Sequence, residues 1–497
     1  MTTQQTANEF APRNGKGVSL RDDAPLLDGY LKFLESAPTP FTTPGHKQRA
    51  STLDRELGVV LAGDVPLYGG VDLAEAEGAL VAKAEARYAN WLSADWCRYS
   101  SGGSTHCNQA LSLAIGQPGD KIVVTRSHHR SLLLGMVMAD LIPCWLPSTT
   151  DATTGLPLGV AVEDVEAALS ANPDARAVLV TEPGYLGTMS DLGGITEVAH
   201  SHDVPVIVDQ AWGAHFGHHP ELPPHAMALG ADAMVTSIHK LLLGYNQASL
   251  VCARTQRLDR ARLERGFEAS MSTSVAGSVL ASIDGCRALM EARGEELVGR
   301  ILPAIRSARQ RLRDEVPGLE VPDEHSFPPG RFDPMRFVVL LASVGSNGIE
   351  VERLLLEQGI TLELVDRDTI LAIVSVADNE ATLDRLVNAL VPAIRSTSGP
   401  WRPASTAVSW KVQPVTVMTP RAAFFAAHES VTAEAAIGRV SAELIAPYPP
   451  GIPVLAPGEL VTEDLVASLQ AVAADGVRVA YAADPTLQTF QVVKAQS

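Results

Sequence analysis

Two stretches decide the fold: Val204-Pro205-Val206-Ile207-Val208-Asp209 and, one crossover later, Asp232-Ala233-Met234-Val235-Thr236-Ser237-Ile238-His239-Lys240. Each carries a short uncharged run that ends on polar groups, the pattern of a strand buried on both faces of a parallel sheet. In such an open sheet the ligand crevice lies outside the carboxyl ends of the strands. Asp209 and Lys240 can then converge on one small molecule, the alternative being a surface lysine and a strand-end aspartate. Pyridoxal 5'-phosphate (PLP) needs that pair, a lysine to form a Schiff base and a carboxylate to keep the pyridine nitrogen protonated.

Working outward, residues 121–125 and 176–181 also read as strands that end in polar or glycine-containing loops, giving an alternating β/α array. Ser101-Gly102-Gly103-Ser104-Thr105 precedes a helix expected over 106–115. Small residues at a helix N-terminus leave backbone N–H groups free for a phosphate, and Ser104 and Thr105 add hydroxyls. After the strand at Thr125 comes Ser127-His128-His129-Arg130, where an imidazole can lie against a flat ring.

These residues resemble the fold-type I Orn/Lys/Arg decarboxylases, the group III basic amino acid decarboxylases, in a short form without an N-terminal wing domain. The marks are Thr43-Pro44-Gly45-His46-Lys47, Gly103-Ser104-Thr105, the loop Ser127 to Ser131, Val208-Asp209-Gln210-Ala211-Trp212-Gly213-Ala214-His215-Phe216 and Ser237-Ile238-His239-Lys240. A distant block adds Thr419-Pro420-Arg421, Phe424-Phe425, Pro447-Tyr448-Pro449-Pro450-Gly451-Ile452-Pro453 and Pro457-Gly458-Glu459. The resemblance implies that Lys240 is the Schiff-base lysine and Asp209 the partner of the pyridine nitrogen. It puts His129 on the ring, Ser104, Thr105, Ser237 and His239 around the phosphate beside Gly103, and Trp212 and His215 along the cofactor or substrate side. Lys240 then exchanges with the substrate amine and shuttles a proton, with His239 as a second proton carrier.

The implied reaction is decarboxylation of lysine, ornithine or arginine to the amine and CO2, with active sites at the interface of a homodimer or larger homo-oligomer. Two departures from the family pattern bear on the substrate: Gln210 where an acidic residue is usual, and the apolar run Leu241-Leu242-Leu243-Gly244-Tyr245 after the lysine. Asp64, Asp72 and Glu459 are candidates for holding the substrate's distal cation. An aminotransferase, an oxidative deaminase or a lyase acting on a modified amino acid would use the same Lys240 and Asp209. A degenerate regulatory paralogue is the non-enzyme reading, which retention of both residues opposes.

Composition fits a large soluble enzyme: 497 residues, 46% hydrophobic, 19% charged, and a net charge of -18 that argues against a nucleic-acid surface. No apolar run is long enough for a membrane span, and residues 1–23 lack the apolar centre of a secretory signal, so a cytoplasmic enzyme is expected. Cys97, Cys107, Cys144, Cys252 and Cys286 are scattered and odd in number, which suits free thiols rather than a disulfide framework or zinc ribbon. His215, His218, His219 and His225 lack the partners of a zinc motif, and no metal is expected.

The reading as a whole is an α/β protein: an N-terminal arm (1–40), a PLP-binding large domain of fold type I with a mainly parallel sheet (41–290), a smaller α/β domain (291–400) and a C-terminal domain (401–497). Within these, 297–316 reads as a helix, 337–341 and 369–375 as strands, and 396–404 as a linker.

Overall fold

The computed structural model describes residues 19–36, 40–72, 79–151, 154–403, 415–448, 452–474 and 477–495. Most of the expected N-terminal arm, the linker's last residue Ala404, and Pro449, Pro450 and Gly451 of the C-terminal motif lie outside the described residues.

Seven strands form the central sheet: β1 (Trp96–Ser100), β2 (Lys121–Thr125), β3 (Ile142–Leu146), β4 (Val178–Thr181), β5 (Val206–Asp209), β6 (Ala233–Ser237) and β7 (Ser249–Ala253). Their spatial order is β3-β2-β4-β5-β6-β7-β1, parallel throughout except for β7, which runs antiparallel to both its neighbours. The two-residue period sorts the side chains onto two cores. Val178, Val180, Val206, Val208, Leu250 and Cys252 pack on one face, while Leu179, Ile207, Val251 and Ala253 pack on the other. Because both faces are covered, each aliphatic side chain is fully desolvated, worth roughly 1.5–3 kcal/mol apiece. Solvated alternation is accordingly absent from these strands.

Register then places polar residues in a row at the sheet's carboxyl edge. Thr181 lies opposite Asp209, and Ser237 lies opposite Ser249, itself opposite Ser100. The glycine-rich turn follows β1, and its helix runs Gly103–Ile115, three residues longer than the sequence expectation at the start.

The helix expected over 297–316 is the second half of a single helix, Gly277–Glu315, which carries the chain from the sheet to the smaller α/β part. Residue 290 lies inside it. Beyond it, β8 (Phe337–Leu340), β9 (Leu364–Val365) and β10 (Thr369–Ala372) form an antiparallel sheet ordered β8-β10-β9. The helix Glu380–Thr397 reaches past the expected start of the linker, because Leu383, Val387, Leu390 and Ile394 keep one of its faces buried up to its last turn.

The C-terminal part has its own core around Ile445, Leu455, Val461, Leu465, Leu469, Phe490 and Val492. It docks on the large part through Leu444 and Ala456, which join the sheet's second core. A buried ion pair adds to this, with Arg126 Nη2 donating to Glu459 Oε2 at 2.9 Å.

Candidate active site

A cavity of about 660 Å³ opens at the carboxyl edge of the sheet. The turn after β1, the loop after β2, the ends of β4, β5 and β6, and two segments each of the small and C-terminal parts wall it. Of the residues singled out in the sequence, Gly103, Ser104, Thr105, His129, Asp209, Trp212, Ser237, His239 and Lys240 line this one space.

At one end stands the N-terminus of the helix Gly103–Ile115, whose first-turn N–H groups have no intrahelical acceptor. Gly103 has φ +72, and a Cβ built there would meet nothing within 4 Å. Glycine is thus required by conformation, and the space over the turn is open. Ser104 Oγ and Ser237 Oγ, from opposite sides of the sheet edge, lie 2.5 Å apart. His239 is fixed beside them, its Nδ1–H donating to the Ala248 carbonyl at 3.0 Å. Its burial and this bond pull its pKa in opposite directions, and burial prevails, so the ring is neutral near pH 7.

In the middle, Asp209 is 4% exposed. Its Oδ1 accepts from Ala211 N at 3.1 Å and its Oδ2 from Asn108 Nδ2 at 2.8 Å. Asn108 also donates to Ser131 Oγ at 2.9 Å. Ser131 in turn holds His129, whose Nδ1 accepts from the Ser131 backbone N–H at 3.2 Å and lies 2.8 Å from Ser131 Oγ. A backbone N–H can only donate, so His129 Nδ1 is the unprotonated nitrogen of a neutral ring and Nε2 carries the hydrogen. Enclosure by protein, the largest influence, together with Lys240 and Arg130 keeps the His129 pKa below its ordinary value against the pull of Asp209.

Lys240 sits in the short helix Ile238–Leu241 that follows β6, with Nζ 4.0 Å from the centroid of the Trp212 ring. Burial pushes its pKa down to about 8; Asp209 and Glu363 resist the shift and Arg336 reinforces it. Arg336, buried just before β8, places its guanidinium carbon 4.9 Å from the centroid of the Trp212 ring and donates to the Trp212 carbonyl at 3.3 Å. Near the mouth, Tyr185 Oη donates to Glu363 Oε1 at 2.9 Å, and both line the cavity.

His215 is the exception among the expected residues. It is fully buried and absent from the cavity wall, its Nε2 donating to Asp333 Oδ1 at 3.0 Å. The turn after Trp212 carries it away from the pocket, where it supports Asp333 and, through it, Arg336, whose Nη2 is 3.6 Å from Asp333 Oδ2. Asp64 and Asp72 do not reach the cavity either, and Glu459 is committed to Arg126.

The two departures from the family pattern also face away. Gln210 Oε1 accepts from Ala226 N at 3.0 Å, Leu241 and Leu242 are core residues, and neither Gln210 nor any of residues 241–245 lines the cavity. Among the described residues no three His, Cys, Asp or Glu gather as a metal site. His218 instead stacks on Trp91 at 4.3 Å, and His225 tilts against the same indole.

Sequence reading missed Asn108, Thr181 and Glu363. Asn108 lies one helical turn beyond Ser104, a spacing that puts both on one face. Thr181 is signalled by its strand end, and its Oγ1 is buried without a protein partner while the residue lines the cavity.

The residues present fit PLP: an open turn at a helix N-terminus, a carboxylate held by two donors, a buried lysine with a lowered pKa and an orphaned hydroxyl on the strand beside the carboxylate. Fold and site together define a fold-type I PLP-dependent enzyme. The comparison with known proteins takes the assignment further: the Orn/Lys/Arg decarboxylase major domain matches residues 24–327 and the C-terminal domain of the same family matches 404–475. The chain belongs to the Orn/Lys/Arg decarboxylase family.

It is 32% identical to the arginine decarboxylase of Bacillus subtilis over 95% of this chain and 98% of that protein. It is likewise 32% identical to the arginine decarboxylase of Halalkalibacterium halodurans over 96% and 99%. The structure is similar to that of lysine decarboxylase A from Pseudomonas aeruginosa, with a TM-score of 0.79 at 20% identity, covering 95% of this chain and 80% of that one.

Proposed function

We propose that this protein decarboxylates L-arginine to the corresponding amine and CO2. The observation that carries the reading is the polarity of the cavity: a buried lysine with a pKa near 8 over Asp209 at its centre, and Glu363 with Tyr185 at its mouth. Asp209 and Glu363 are the two carboxylates on the cavity wall among the described residues. The first faces the cofactor, and the second is free to meet a distal guanidinium. The full-length similarity to two arginine decarboxylases supports arginine over lysine.

Bound PLP supplies a conjugated cationic ring that accepts the electron pair released when the Cα–carboxylate bond breaks. Lys240 Nζ is the amine that would hold the cofactor, and once the substrate amine took its place it would be free to carry the proton that returns to Cα. Asp209, fixed by Asn108 and the Ala211 N–H, keeps the pyridine nitrogen protonated through its opposite charge. His129, neutral and on the cavity wall, would offer its ring to the flat cofactor. Gly103, Ser104, Thr105, Ser237 and His239 receive the phosphate, and Trp212 confines Lys240 from the side. Thr181 Oγ1 offers a further donor beside Asp209.

The protein acts as a homodimer or larger homo-oligomer in this reading, with the active site near the subunit boundary. Its five cysteines, all free and four of them buried, suit the reducing cytoplasm.

The deciding experiment is an absorbance scan of the purified protein with added PLP, followed by CO2 release from arginine, lysine and ornithine in parallel. A cofactor band with CO2 from arginine supports the proposal. CO2 from lysine or ornithine alone overturns the substrate assignment, and a 2-oxo acid in place of CO2 moves the protein to transamination or oxidative deamination.

A further inference from the structure

The C-terminal part reaches the catalytic cavity. Ile452 and Tyr481 line its wall on the side of Ser127 and His128. Tyr481 has φ +69, a left-handed conformation that an aromatic residue holds only where its surroundings impose it, and such residues gather at functional sites. Glu443 imposes it: its Oε2 accepts from Ala483 N at 2.7 Å and its Oε1 from Gln491 N at 2.7 Å, pinning the chain just after the tyrosine. The Tyr481 ring in turn lies 4.9 Å from the guanidinium carbon of Arg130, a cation–π contact.

Arg130 directly follows His129, the N-cap of the helix Arg130–Ala139. On the other side of the same loop, Arg126 is saturated by the C-terminal part: besides Glu459, its Nε donates to the Pro453 carbonyl at 2.8 Å and its Nη2 to the Val454 carbonyl at 3.0 Å. Contacts with the C-terminal part therefore bracket Ser127-His128-His129 at both ends. The Arg126 anchor is buried and fixed. The Tyr481 contact is half-exposed and borders the cavity itself.

We propose that Tyr481 is a positioning residue of the reaction. Through Arg130 its ring holds the His129 turn against the cofactor and closes that wall to water, which makes the C-terminal part a component of the active site. The proposal rests on the cavity being the PLP site.

The test uses the full-length holoenzyme with Tyr481→Ala, Tyr481→Leu and Tyr481→Phe, comparing thermal unfolding, kcat and KM for arginine, and the rate at which bound PLP leaves in the presence of a PLP scavenger, followed by cofactor absorbance. The expected result is a roughly tenfold fall in kcat and a similarly faster PLP release for Ala and Leu, with unfolding temperatures near wild type, while Phe stays within about twofold on every measure. PLP release and kcat within twofold of wild type in Tyr481→Ala overturn the proposal. So does a Phe variant as impaired as Ala, which would assign the role to the hydroxyl and not the ring. If wild-type protein binds PLP but releases no CO2 from any basic amino acid, the functional reading falls, and the PLP-release comparison still decides the role of Tyr481.

Discussion

Asn108 Nδ2 lies 2.8 Å from Asp209 Oδ2 and 2.9 Å from Ser131 Oγ, so one buried amide ties the Asp209 carboxylate to the turn that carries His129. An ionised carboxylate can only accept, and Asp209, 4% exposed, has little contact with water to replace a lost donor. Asn108→Ala removes a hydrogen bond to a charged group, worth about 1.5–3 kcal/mol. If the Asp209 charge matters mainly when the Cα–carboxylate bond breaks, that loss appears in kcat as a fall of roughly 10- to 100-fold. Steady-state CO2 release at saturating arginine measures it, and wild-type turnover in the variant would remove Asn108 from the mechanism.

The convergence of Asp209, Lys240 and the glycine turn on one cavity was legible in the sequence because each is a local pattern: a strand ending on Asp209, a strand ending before Lys240, and glycines ahead of a helix. The strands themselves were legible for the same reason, as short uncharged runs. What stayed hidden depends on packing between distant segments. Glu363 meets Tyr185 across 178 residues of chain, and nothing near either residue signals the other. His215 misled because it is three residues from Trp212, yet the turn between them sends one side chain into the cavity and the other to Asp333, 118 residues on. Gln210 looked like a substrate determinant for its place beside Asp209, whereas consecutive residues leaving a strand point to opposite sides.

The lowered pKa of Lys240 sets a pH dependence for cofactor capture. Burial is the largest cause and brings the ammonium down to about 8, against 10.5 for an ordinary lysine. The neutral amine is the form that attacks the PLP aldehyde. The rate at which PLP combines with apoenzyme should therefore rise with pH and level off above about 8, and Lys240→Ala should lose the absorbance of the imine between lysine and cofactor. Stopped-flow absorbance between pH 6.5 and 10 gives the profile. A rate that keeps climbing tenfold per pH unit up to pH 10 would contradict the burial argument.

Glu363 is predicted to read the far end of the substrate. A carboxylate can take a guanidinium through two parallel hydrogen bonds, and Tyr185 already orients one of its oxygens. Glu363→Gln keeps the shape but removes the charge, so KM for arginine should rise about tenfold or more with a smaller change in kcat, the signature of binding made equally in ground and transition states. Tyr185→Phe should give a weaker effect in the same direction. Equal KM values for wild type and Glu363→Gln would place the guanidinium elsewhere.

The His215–Asp333 pair predicts a stability effect separable from catalysis. Both side chains are fully buried. Burial alone would raise the Asp333 pKa, but His215 and Arg336 outweigh it and hold the carboxyl below its ordinary 3.8. A depressed acid contributes stability that is complete above its unfolded pKa and lost only as pH falls through the lower folded value, so the wild-type contribution is constant from pH 5 to 8. His215→Leu removes the nearest partner of a buried carboxylate and leaves it Arg336 and the Met335 N–H, a loss of about 3 kcal/mol at neutral pH. Without the histidine the desolvation of Asp333 is less opposed, its pKa moves up, and the variant regains stability as the carboxyl protonates in mild acid. Unfolding temperatures should thus differ most near pH 8 and converge toward pH 5, and His215→Leu combined with Asp333→Asn should recover part of the loss. A deficit that does not depend on pH would mean that His215 acts by filling space, and that its bond to Asp333 contributes little.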